Sequence, residues 1–325
     1  MNIGVKIWLS GLPTPQIAPC TRSSRGFADW PDSVAILNRL MSGNLMSTSL
    51  SHNDVETLAR ELLSAYETGD MVAIAPSARP GFDLNTAYEV EATLKQFREA
   101  AGHRAVGRKV GYANKAMWRL LKLETLVWAH MYDDTVHYSD SNSATLTLAH
   151  PRSLKVEPEI VFGLKQPIIS EGHETPDATA ALASADWLAV GFEIIDCPFP
   201  EWQFQPSDFV ASFGLHTALV IGERMQVRPD RIAALVDELS RFKVHVWKNG
   251  EFVEEGSGRN SLRSPALCLS ELSAAIERQS PSQPLSTGEI VSSGTLTSGH
   301  PTSKGDLWTV NVEGLSLPQL TLRLT

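Results

Sequence analysis

From Ser51 onward, apolar residues recur at helical spacing. Val55, Leu58, Leu62 and Tyr66 fall on one face, and Gly69 stands where a helix would stop. A proline-rich turn, APSARPGFD, separates this stretch from a second stripe of Val90, Leu94, Phe97 and Ala101 that ends at Gly102. The period then shortens toward two. Residues 104–112, 156–164, 189–196 and 217–221 read as strands. Between the first two of these, Asn114 is placed to cap a short helix through about Leu123, with Met117, Leu120 and Leu121 turned inward. Pro229 opens a helix with the stripe Ile232, Leu235, Val236 and Leu239. Residues 243–247 and 251–255 flank Asn249-Gly250, the dipeptide that specifies a tight hairpin. A further helix follows Pro265. The C-terminal end is strand and turn: GEIVSSGTLTSGHP, then residues 307–312, then alternating Leu320, Leu322 and Leu324.

This order lacks the regular βαβα alternation of a doubly wound sheet or barrel, so the fold class expected is α+β. Three segments follow: a weakly structured extension over residues 1–45, a helical N-terminal segment over 46–104, and a strand-rich body over 105–325. The extension carries two prolines in its first short apolar patch and no proper signal-peptide core. Met41 and Met46 stand just before the first convincing helix as alternative starts.

Composition narrows the function classes. The 325 residues suffice for a large core. With 28 basic against 37 acidic residues the formal net charge is −9, which argues against a nucleic-acid or anionic-membrane footprint. Cys20, Cys197 and Cys268 are far apart and odd in number, so neither a disulfide framework nor a zinc knuckle is expected, and a cytoplasmic location is. No apolar run approaches the ~18 residues of a membrane helix.

Four stretches carry chemistry. In KVEPEIVFGL, Val156, Pro158, Ile160, Phe162 and Leu164 form an apolar face, while Lys155, Glu157 and Glu159 share the other. Pro158 stiffens the segment, and the two carboxylates stand roughly 6–7 Å apart at the backbone. Alone, the pattern reads first as a solvated strand face with two surface acids. The second stretch changes the balance: AVGFEIID embeds Glu193 in an apolar strand, where a carboxylate is costly unless it is paired or metal-bound or the strand edge reaches water. Three carboxylates from two strands make a sound oxygen-ligand set for Mg2+ or Mn2+. In RAVGRKVGY, Lys109 shares a face with Gly107 and Gly111, which leave room for a ligand; the lysine is either a surface residue beside a bend or a group that holds a carboxylate or an enolate. In SSGTLTSG, small hydroxyl residues and glycines follow a strand, as in an anion-binding loop or an ordinary polar turn.

GRKVGYANKAMWRLL, VEPEIVFGL, VGFEIIDCPFPEW and GEIVSSGTLTSGHPTSKGD, in this order, resemble the fumarylacetoacetate hydrolase superfamily, in its 2-keto-4-pentenoate hydratase / 4-oxalocrotonate decarboxylase branch. The likeness runs from about Leu50 to the C-terminus. It implies a mixed β-roll, barrel-like body, Mg2+ or Mn2+ on Glu157, Glu159 and Glu193, Lys109 facing the substrate, Thr295 at the substrate's carboxylate end, and a homo-oligomer. There are departures. The acidic P-D-F-G segment is replaced by residues 124–134, with Trp128 and His130, and the D-N-A-S-C-G run appears as FVASFGLH. His130 stands as a local substitute for the hydrolases' catalytic histidine, and Lys109 and His130 are the candidates for general acid or base, ahead of Asp133 and Asp134. Arg259, with Arg263, is the candidate for a distal carboxylate, or else part of a solvated loop. The function implied is a divalent-metal hydratase acting on a 2-oxo or 2-hydroxy-dienoic acid in the breakdown of aromatic-ring-cleavage products. The alternatives are a 2-oxo acid decarboxylase, a C–C bond hydrolase, or a non-catalytic partner of a decarboxylase in the same route. No nucleic acid or membrane is expected as a partner.

Overall fold

The computed structural model describes residues 50–139, 141–169, 175–279 and 283–325. The expected extension over residues 1–45 lies outside the described residues. Helix α1 (His52–Thr68) starts at a capping box, in which the Ser51 side chain accepts from Asp54 N and the Asp54 carboxylate receives the Ser51 backbone N–H. It stops at Gly69, whose φ of 79° closes a left-handed cap. Helix α2 (Leu84–Ala100) is capped by Asp83. The stripes Val55, Leu58, Leu62 and Val90, Leu94 meet, and the resulting core takes in Tyr132, Phe209 and Val210 from the body.

The body contains strands β1 (Ala105–Gly111), β2 (Val127–Tyr132), β3 (Val136–Tyr138), β4 (Ser143–Leu146), β5 (Leu154–Leu164), β6 (Ala185–Asp196), β7 (His216–Ile221), β8 (Met225–Gln226), β9 (Lys243–Lys248), β10 (Glu251–Ser257), β11 (Ile290–Thr295), β12 (His300–Pro301), β13 (Leu307–Glu313) and β14 (Leu320–Leu324). Its helices are α3 (Lys115–Leu121), α4 (Ala178–Ala183), α5 (Pro206–Ala211), α6 (Ile232–Arg241) and α7 (Pro265–Glu277). The larger sheet runs β2-β1-β11-β5-β6-β7-β3 and mixes parallel with antiparallel pairs. The smaller runs β10-β9-β13-β14-β4. Helix α7 is buried on nearly all sides and shares one core with inward residues of β5 and β6 from the first sheet and β9, β13 and β14 from the second. The fold is α+β, as expected. No helix of the described residues is long and apolar enough to cross a membrane.

The hairpin forms where Asn249-Gly250 places it, with φ of 54° and 86° at the two turn residues. Helix α3 departs from expectation. Met117 and Leu120 are exposed, Leu120 by 74 %, and Leu121 is only half-buried. Trp118 takes the inward position instead, and its indole N–H donates to Tyr112 O at 2.7 Å. One bulky indole covers what a seven-residue helix can bury. Strand β2 escapes the sequence reading because VWAHMY is buried on both faces and shows no alternation.

Strand β5 is central, with β11 on one side and β6 on the other, and a proline there would ordinarily cost a ladder hydrogen bond. The pairing accommodates it. β11 shifts register between Ser292, paired with Val161, and Thr295, paired with Glu159, so the missing N–H of Pro158 falls just past a bulge. Beyond the bulge, Leu296 N donates to Pro158 O at 2.9 Å. The same bulge turns the SSGTL segment toward the carboxylates.

Candidate metal centre and active-site cavity

Glu157 and Glu193 are direct cross-strand partners on β5 and β6, and Glu159 follows on the same face. Like charges placed opposite each other destabilise a sheet, and here they are also out of water: Glu159 and Glu193 are 0 % exposed and Glu157 is half-buried. One carboxylate oxygen from each of the three lies within 4.8 Å of the others.

The protein holds part of this set and leaves part of it free. Glu159 Oε2 accepts from Ser292 Oγ at 2.5 Å and Gly294 N at 2.8 Å, while its Oε1 is buried without a partner among the described residues. Gly294 sits at φ 86°, a conformation that aims its N–H at Glu159, and a Cβ there would stand 2.7 Å from the Ala113 Cβ. Glu193 Oε1 meets His216 Nδ1 at 2.8 Å, and His216 Nε2 lies 3.0 Å from Thr135 Oγ1. Glu193 Oε2 lies 3.2 Å from Lys109 Nζ but receives no well-directed hydrogen bond. Glu157 has no hydrogen bond among the described residues, and a Cβ on Gly299 would stand 2.8 Å from its Oε1.

Burial, then the charge of Glu193, pushes the Glu159 carboxyl well above the ordinary carboxylate range. Burial also raises Glu157, to about 7, against the pull of Lys109. Glu193 goes the other way: burial alone would raise it, but Lys109 and His216 outweigh that and hold it low. Three carboxylates in this space therefore do not all stay ionised near neutral pH without added positive charge. An oxygen-only donor set with unpartnered buried oxygens fits a hard divalent cation.

Lys109 reaches the cluster from β1. Its Nζ donates to Gly214 O at 2.9 Å. Gly214, at φ 60°, leaves the lysine its channel, since a Cβ there would stand 2.6 Å from Lys109 Cδ. The cavity above these groups measures about 470 Å3, with Lys109, Glu157, Tyr112, Trp202, Phe209 and Thr295 in its wall. Phe209 is brought there by α5, which Asp208 ties to the N-terminal layer by accepting from Ser77 N and Ser77 Oγ, both at 2.6 Å.

No family model matches the chain. Among curated proteins, it is 26 % identical over 261 residues to 2-hydroxyhexa-2,4-dienoate hydratase of Comamonas testosteroni, covering 80 % of this chain and 94 % of that one. It is 27 % identical over 270 residues to 4-oxalocrotonate decarboxylase of Pseudomonas sp. strain CF600, covering 83 % and 97 %. Among solved structures, the 4-oxalocrotonate decarboxylase of Pseudomonas putida G7, complexed with magnesium and adipate, superposes with a TM-score of 0.75 at 22 % identity, over 85 % of this chain and 99 % of that one. These likenesses fall in the hydratase/decarboxylase branch of the fumarylacetoacetate hydrolase superfamily.

Of the residues singled out from this family's pattern, Lys109, Glu157 and Thr295 line one cavity, and Glu159 and Glu193 close on Glu157 and Lys109 behind its wall. His130 does not. Neighbouring residues on a strand point to opposite faces, and it is Ala129 that packs on the Lys109 side, near Gly214. His130 faces a separate cavity of about 440 Å3 lined also by Tyr88 and Trp128. There its Nδ1 lies 2.5 Å from Glu91 Oε1, and burial keeps its basicity below the usual histidine value. Arg259 is exposed on a single turn and does not line the active-site cavity; the next residue, Asn260, does. Asp133 and Asp134 are engaged by Arg104 and Arg98. With His103 they form a second convergent cluster, but the arginines already neutralise it.

Sequence reasoning missed Gly214 and His216, although both lie in FVASFGLH, the run that departs from the family's D-N-A-S-C-G. The signal was the histidine at the mouth of an apolar strand, two residues after a glycine.

The raised carboxyls have a measurable consequence. A carboxyl whose folded-state pKa is raised contributes stability below its ordinary value of about 4.5, and that contribution is lost as pH rises through about 7. Metal-free protein should therefore melt at progressively lower temperature from about pH 5 to about pH 8. The gain in melting temperature on adding Mg2+ or Mn2+ should be larger at the alkaline end, because fewer protons are displaced. Scanning calorimetry with and without chelator tests this; a flat or rising metal-free profile would contradict it.

Proposed function

We propose that the protein is a divalent-metal-dependent hydro-lyase that adds water to a 2-hydroxy-dienoic acid, through its 2-oxo tautomer, in the breakdown of aromatic-ring-cleavage products. The observation that carries this reading is the Glu157–Glu159–Glu193 set, buried, partly unpartnered and adjacent to Lys109. The named hydratases among its relatives support it.

In this reading Glu157, Glu159 and Glu193 hold Mg2+ or Mn2+, which supplies Lewis-acid stabilisation of negative charge on the substrate's 2-oxygen. Ser292 and the Gly294 N–H orient Glu159 by occupying its Oε2, and His216 orients Glu193 by occupying its Oε1. Lys109 has three N–H donors. One is spent on Gly214 O and a second faces Glu193, which leaves one to meet charge developing on the substrate or to move a proton. Thr295 and the neighbouring backbone close one end of the cavity. Tyr112, Trp202 and Phe209 offer flat apolar walls that suit a conjugated chain and exclude water from it. The reading includes a homo-oligomer and association with a decarboxylase of the same route, for which the exposed Met117 and Leu120 offer an apolar surface.

A second reading is decarboxylation of a 2-oxo acid. The decarboxylase relative, which matches over 83 % of the chain, favours it. The same charge stabilisation would accept the electron pair left by CO2. A panel of 2-oxo and 2-hydroxy-dienoic acids, incubated with Mg2+ or Mn2+ and read by mass spectrometry, separates the outcomes. Gain of one water is expected. Loss of CO2 would establish the second reading, cleavage of the carbon chain would point to a C–C hydrolase, and no conversion would leave a non-catalytic partner.

A further inference from the structure

Among the described residues, two cations line the active-site cavity, Lys109 and Lys155. Lys109 is committed to Gly214 O and Glu193. Lys155 makes no ion pair among the described residues. It stands two residues before Glu157 on the same face of β5, about 7 Å along the strand from the carboxylate set. Its ammonium lies 3.8 Å from the centre of the Trp202 ring, a contact that holds the charge in place without neutralising it. The indole is itself fixed, since Trp202 Nε1 donates to Ser153 Oγ at 2.8 Å. Glu201 and Trp202, at φ 54° and 58°, are two consecutive non-glycine residues in the left-handed region, a backbone arrangement kept where the surroundings over-determine it. Glu254, the other acid in the wall, accepts from Ser298 N at 3.1 Å and lies 2.9 Å from His300 Nε2.

The acidic neighbour of Lys155 on its face of β5 is Glu157, which belongs to the glutamate set, so this positioned cation is left as a receptor for a further anion. We propose that Lys155, held on Trp202, binds a carboxylate at the end of the substrate remote from its 2-oxo group, so that the site selects dicarboxylic over monocarboxylic substrates. The inference rests on the reading that the glutamate set holds the 2-oxo acid end. The span from that set to Lys155 is one that a short dicarboxylic acid bridges, with its apolar middle against the aromatic wall.

The test is titration calorimetry of the Mg2+-loaded protein with adipate and with hexanoate, which has the same number of carbons but a methyl group at one end. The wild type should bind adipate about tenfold tighter than hexanoate, the scale of one hydrogen bond to a charged group. Lys155→Met should remove that preference while leaving hexanoate binding, metal content and melting temperature unchanged. Lys155→Arg should keep it. The proposal is overturned if the wild type shows no preference, if Lys155→Met retains it, or if both ligands weaken alike. Wild-type protein that shows the preference but hydrates no 2-hydroxy-dienoate would sink the proposed activity and leave the carboxylate subsite standing.

Discussion

Glu193→Gln should yield folded protein that no longer retains a divalent metal. The substitution keeps volume and keeps an oxygen for His216 Nδ1, so the local packing has no reason to collapse. It removes one of three charges from a centre whose donors are all carboxylates. Metal affinity should fall by on the order of 100-fold or more, beyond the cost of losing an outer-shell partner, and turnover should fall with it. Glu157→Gln should behave the same way. Elemental analysis after dialysis is the direct measurement, with circular dichroism to confirm the fold. Unchanged metal content in both variants would dispose of the carboxylate centre.

Lys109→Gln should divide the two functions of the site. The amide stays polar, but the ammonium that bonds Gly214 O and faces Glu193 is gone. Metal retention should persist, since the carboxylates remain, while kcat drops by roughly 10^2- to 10^4-fold, the usual span for a lost acid, base or charge-stabilising donor. Because removing one partner of a buried ion pair costs about 3–5 kcal/mol, melting temperature is measured alongside. A kcat within a few-fold of wild type in a folded, metal-loaded variant would make Lys109 a structural counter-ion only.

The regular parts of the fold were legible because they rest on local rules. Ser51 and Gly69 bound a helix by capping chemistry, and Asn249-Gly250 fixes a hairpin by backbone preference. The carboxylates of β5 were legible because alternation separates them from the apolar face; the sequence did not show that Glu157 lies directly across from Glu193, which is a matter of register between distant segments. His130 and Arg259 misled for related reasons. A fully buried strand has no alternation to reveal which way a histidine points, and a turn beside the cavity aims one residue away from it and the next into its wall. Met117 and Leu120 were assigned inward by period alone, with no account of the area that Trp118 covers.

Pro158 and its bulge have a meaning for assembly of the chain. A bulge beside the proline marks one alignment of β11 on β5, and only one alignment of β5 on β6 sets Glu157 across from Glu193. Sliding β5 by a single residue would send Glu157 and Glu159 to the apolar side of the sheet. With the glutamate set as the proposed ion site, ion capture would report correct strand pairing: a chain that misaligned during folding would have no site to load, and a loaded ion would hold the register that made the site.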